Sequence, residues 1–238
     1  MDRIAGRESG YQAITRGAIL VVAILCAACV VVASEASAQC TARDVLQNRL
    51  TLRPHSSPNN SPVLIKSASA VPVWKTITIG TFANSFALLN ALNAAGCGIG
   101  DLAYEVLARP AFKVSNVRTN VELFVVSAAE LDFLTDTVPL ADIYARAQRL
   151  GFGLAAAEVA PQLRLQYFDQ PMGAFLIGME PIKTWDGAPA ILSVANGGAG
   201  LVLVGRDGSA AAEVPVQSRF IFVRSKEAAL VETLHVSP

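Results

Sequence analysis

The sequence predicts an α+β fold: a single domain built strand–helix–helix–strand–helix, followed by a largely antiparallel, hairpin-rich sheet. Three observations carry that class. Segments of helical period are confined to the earlier part of the chain, at 84–96, 101–108 and 137–151. Beyond residue 160 the apolar residues alternate or run in short blocks. Those blocks are separated by turn chemistry at 169–173, Asp186-Gly187, 196–199 and Asp207-Gly208. Helices and strands segregated in this way point to α+β rather than to alternating βαβ units.

The first 38 residues are set apart from the fold. Arg3, Arg7 and Arg16 precede the apolar run Ala18 to Ala33, and Ala36-Ser37-Ala38 follows as a small-residue cleavage site. A basic start, a short apolar core and small residues at the cut make a secretory signal. The apolar run is short of the roughly 20 residues a membrane span needs. Cleavage after Ala38 is therefore expected, with no stable membrane insertion afterwards and a periplasmic or secreted product. An uncleaved anchor and lipidation at Cys40 are the alternatives; Gln39 and Glu35 disfavour the second. Loss of this segment removes three basic and three acidic residues, so the formal net charge stays zero. A phosphate-neutralising surface is missing, and nucleic acid is excluded as a partner.

Along the remaining chain, 41–52 predicts a short helix with Thr41 at its cap and Val45, Leu46 and Leu50 on one face. Residues 53–72, interrupted by Pro54, Pro58, Pro62 and Pro72, predict a linker or surface-hugging loop. The globular domain then runs 73–225, with 226–238 as a tail. "VWKTITIG" predicts a strand ended by Gly80. "NSFALLNALNAAG" predicts a helix capped by Asn84 or Ser85, with Phe86, Leu89 and Leu92 near helical spacing and Gly96 at its end. Asp101 caps a second helix that stops before Pro110. "VELFVVS" predicts a buried central strand. "DTVPLADIYARAQRLG" predicts a helix with Thr137 as cap and Pro139 in the first turn. Its apolar stripe runs over Leu140, Ile143, Tyr144, Ala147 and Leu150, an Asp142–Arg146 pair lies opposite, and Gly151 stops it. "LRLQYF", "AFLIGM", "AILSVA", "GLVLVG" and "RFIFVRS" predict strands.

Most chemical motifs fail on context. Gly96-Cys97-Gly98-Ile99-Gly100 follows a helix rather than a strand and lacks dinucleotide-loop spacing. The helix–turn–helix pattern around it offers Asp101 and Glu105 to a DNA backbone that would repel them. Glu130, Asp132, Asp136 and Asp142 match no calcium loop and predict a solvated turn. No Cys/His cluster has zinc spacing, so no metal and no cofactor is expected. Cys97 as a nucleophile would need a base, and His55 and His235 both lie outside the predicted elements. Cys40 and Cys97, the cysteines left after export, predict a disulfide. The favoured binding surface is 158–173. There Glu158, Gln162, Arg164, Gln166 and Gln170 line a polar face beside Tyr167, suited to a peptide or a sugar, with the wet side of a sheet as the plain alternative.

"VWKTITIGT", "AAGCGIGDLAYEVLARPAF" and "EVAPQLRLQYFDQPMGAFLIGMEPI" together resemble a domain of uncharacterised bacterial proteins, over most of 74–224. The resemblance implies no activity and no site residue. The expectation is an exported, non-catalytic module that binds a small ligand or a protein. Its rivals are a hydrolase or transferase using Cys97, or a carboxylate pair such as Glu158 and Asp169, and a membrane-tethered domain.

Overall fold

The computed structural model describes residues 40–41, 63–198 and 200–225. The predicted signal, the 41–52 helix beyond Thr41, the proline-rich segment up to 62 and the tail after 225 lie outside the described residues. So do both histidines.

The fold is α+β around one large mixed sheet. Strands β1 (Lys75–Ile79), β3 (Thr119–Ser127), β11 (Arg219–Arg224), β6 (Gly173–Ile177), β8 (Pro189–Asn196), β9 (Leu201–Asp207) and β2 (Gly98–Ile99) lie side by side in that order. Two short strands join it, β5 (Phe152–Gly153) on β11 and β7 (Ile182–Lys183) on β8. Pairing is antiparallel except for β6–β11 and β2–β9. A separate ribbon pairs β4 (Thr137–Pro139) with β10 (Glu213–Pro215).

The sheet register sorts the core into two faces. Phe175, Ile177, Val194, Leu203 and Ile221 share one face and are buried. Helices α1 (Ser85–Ala94), α2 (Asp101–Ala108) and α4 (Val159–Gln166) pack with the strands on this side, and Leu102 of α2 sits directly on Gly205. Phe124, Phe220 and Phe222 share the opposite face. There Tyr144 of α3 (Leu140–Arg149) meets the Phe220 and Phe222 rings at 6.3 and 6.1 Å.

The local signals behave unevenly. Asn84 caps α1 by accepting from the Ala87 N–H at 2.9 Å. Gly96 and Gly151 follow helices with φ of 67° and 93°. The inward residues of α1 are Leu88 and Leu92, while Phe86 is 69% exposed. Gly100, not Asp101, occupies the cap of α2. Thr137 does not cap α3, because Thr137–Pro139 is drawn into the ribbon with β10 and Pro139 takes the cap position. Arg146 pairs with Asp132 at 3.8 Å rather than with Asp142, and its Nε donates to the Leu131 carbonyl at 3.1 Å.

The main correction falls on "LRLQYF". Residues 159–166 form α4, not a strand. Leu163, Leu165 and Tyr167 alternate as a strand would. However, Val159, Ala160 and Leu163 are the buried apolar residues, spaced for a helix face. Pro161 sits in the first turn, where a missing N–H costs nothing.

Candidate functional site

Helical spacing brings Glu158, Gln162 and Gln166 onto one face of α4, at steps of four residues. That face lies along β1, the end strand of the sheet. Gln166 donates to the Thr78 carbonyl at 2.8 Å and accepts from the Thr78 N–H at 2.9 Å. These are the two bonds a neighbouring strand residue would make. Gln162 donates to Thr81 Oγ1 at 2.8 Å and to Glu158 Oε1 at 3.0 Å. Glu158 is 1% exposed. Its carboxylate accepts from the Gly80 N–H at 2.8 Å and the Ser115 N–H at 2.7 Å. Gly80 has φ of 71°, and a Cβ there would sit 2.1 Å from the Val117 carbonyl oxygen. Only glycine lets the chain turn close enough to present that N–H. The ladder closes an open sheet edge.

Arg164 and Gln170 are buried as well and serve the next turn. Arg164 donates to Gln170 Oε1 and to the Tyr167 carbonyl. Burial brings its pKa down to about 10. Gln170 donates to the Gly173 and Val194 carbonyls at 3.1 and 3.2 Å. Asn196 donates to the Gln170 carbonyl at 2.7 Å. Tyr167 packs its ring against Trp74 at 5.2 Å and lies under the Lys75 ammonium at 4.6 Å. The predicted binding face is therefore mostly interior. Gln162 and Gln166 reach a cavity of about 340 Å³, shared with Thr78, Thr81, Arg118 and Leu165. The amides there are already spent on one another and on β1.

The rival carboxylates are apart. Glu158 precedes α4 and Asp169 follows it, so the helix's own length of about 12 Å separates them. Cys40 and Cys97 are at disulfide distance, with Cα atoms 4.6 Å apart. The sulfur that would act as a nucleophile is bonded to its partner, and both residues are buried. The Cys40 carbonyl accepts from the Leu201 N–H at 2.9 Å, and Thr41 bridges to Gly200. Of the acidic run, Glu130 accepts from Ser127 N and Oγ at 2.7 and 2.8 Å, while Asp132 faces Arg146. Among the described residues no His, Cys, Asp or Glu group is placed to hold a metal. None of the described helices is long and apolar enough to cross a membrane.

A larger groove, of about 570 Å³, lies on the other side of the sheet. Its floor is Ala174 and Leu176 of β6, both half-buried. Its wall is Val214 and Pro215 of the ribbon, with Ser218 at one end. Arg206, Asp207 and Glu213 form the charged rim and are exposed. None of the three is within ion-pair distance of another; the one ion pair among the described residues is Arg146–Asp132. Asp207 accepts from Ser209 N and Oγ. An apolar floor with charges at its rim that no opposite charge pairs is the make-up of a ligand site, and the size falls in the usual range. "GRDGS" reads as a turn in the sequence, and nothing there marks Glu213. Only the crossing of the ribbon over the sheet brings these residues together.

No family model, curated protein or solved structure matches the chain.

Proposed function

We propose that this chain is an exported, non-catalytic binding module whose ligand lies in the groove between β6, the end of β9 and the β4–β10 ribbon. One observation carries the site: a half-buried apolar floor bordered by charges that no partner neutralises. The signal-like first 38 residues and the buried Cys40–Cys97 pair support export to an oxidising compartment. The α4 residues hold the scaffold, and the groove does the binding.

The test is an amide NMR titration of the oxidised protein with a mixed library of amino acids, sugars and short peptides. Shifts confined to Ala174, Leu176, Val214 and Ser218 are expected. A library that leaves those amides unmoved, or that moves only the cavity at Gln162, overturns the assignment.

A further inference from the structure

The geometry points to an extended, apolar peptide with a free N-terminus as the occupant of this groove. The inference rests on the groove being the ligand site and adds the class of ligand.

The groove is bordered by an open strand edge. Among the described residues, β10 pairs with β4 on one side and with no strand on the other. The Leu140 N–H donates to the Ala212 carbonyl and the Val216 N–H to the Asp136 carbonyl, each at 2.9 Å. In an antiparallel pair the backbone groups of alternate residues face the partner. Residues 212, 214 and 216 therefore face β4, and the N–H and C=O of Glu213 face away from it. The Pro215 carbonyl on the same side already accepts from the Ser218 N–H at 2.8 Å. Glu213 thus offers one donor and one acceptor to an added strand, the mode in which extended peptides join a sheet edge.

The groove is also long enough for a short peptide. Register places Arg206 opposite Ile191, and Ala174 opposite Ala195 on the far side of β8. Two strand spacings across and four residues along separate Arg206 from Ala174 by about 16 Å. An extended chain covers that in about five residues. Alternate side chains of such a peptide would rest on Ala174 and Leu176.

Charge at the rim sets which end of the peptide is held. Two carboxylates and one guanidinium lie on the rim, Arg206 and Asp207 at the end of β9 and Glu213 at the start of β10, and no other lining residue is charged. The net excess is negative and favours an ammonium. Asp207 and Glu213 then hold the peptide's N-terminus, and Arg206 is left for its first carbonyl.

The probe is the pentapeptide Ala-Leu-Ala-Leu-Ala, measured by calorimetry against the oxidised protein. Acetylating its N-terminus is expected to weaken binding at least tenfold, and amidating its C-terminus to leave it unchanged. Glu213→Gln should weaken the free-amine peptide and leave the acetylated one alone. Glu213→Pro removes the outward N–H without touching the bonds to β4, and should weaken both. Equal binding of acetylated and free peptides overturns the N-terminal assignment. If library compounds shift the groove amides while no peptide binds, the peptide inference fails and the groove remains the site. If neither peptide nor library acts there, both readings fall.

Discussion

Removing the Cys40–Cys97 bond should cost the protein about 4 kcal/mol. The bond spans a sequence separation of 57 residues. In the chain-entropy model a loop of that length restricts the unfolded ensemble by about 14 cal/mol/K, which is about 4 kcal/mol at 25 °C. The native contacts on either side do not depend on the sulfur bond. Cys40 still donates to the Ala95 carbonyl and accepts from Leu201, and Cys97 still donates to the Leu92 carbonyl. The loss therefore belongs mainly to the unfolded state. The double variant Cys40→Ala/Cys97→Ala, compared with oxidised wild type by urea unfolding, should show a midpoint lower by about 2 M if m is near 2 kcal/mol/M. The variant should also show a larger m, because an unlinked chain expands and exposes more surface. A midpoint within about 0.3 M of wild type would refute the reasoning. So would a full loss of stability with m unchanged, since that pattern would place the effect in native packing.

Glu158→Gln puts an amide NH₂ against either the Gly80 or the Ser115 N–H; two facing donors in a buried site should cost about 2–3 kcal/mol. Chemical denaturation checks it, and a loss under about 0.5 kcal/mol would mean solvent reaches the carboxylate. Gln166→Ala uncovers the Thr78 N–H and C=O on the edge strand. It should lower stability by about 1 kcal/mol and promote edge-to-edge association, read by sedimentation velocity. A variant that stays at the wild-type sedimentation coefficient would show that α4 covers the edge unaided. Tyr144 is a pH probe: burial raises its pKa, so the folded state keeps a proton that the unfolded state releases near pH 10. Its stabilising share is complete below pH 10 and lost as pH rises beyond it, by about 1.4 kcal/mol per pH unit. Tyr144→Phe should flatten that slope between pH 10 and 12. It should also cost about 1 kcal/mol at neutral pH, by taking the hydroxyl from the Met179 N–H. An unchanged alkaline slope would remove Tyr144 as its source.

The sequence by itself determined what depends on neighbours along the chain. The Asn84 cap, the glycines after helices and the Asp-Gly and Asn-Gly-Gly turns act over a few residues, so the α+β class and most element positions follow from them. The Cys40–Cys97 pairing also follows once Cys26 and Cys29 are assigned to the predicted signal, because each remaining cysteine then has a single possible partner. Tertiary structure decided the rest. The stretch 159–166 carries both a period-two and a helical pattern. Only burial of Val159, Ala160 and Leu163 against the sheet selects the helix. That choice turns Glu158, Gln162 and Arg164 from a wet sheet face into interior hydrogen-bond partners. Arg206 and Glu213 belong to a rim only because the ribbon of β4 and β10 crosses the face of β6. That crossing sets Glu213, Val214 and Pro215 against Ala174 and Leu176, which lie far from them in the sequence, and no local period encodes it.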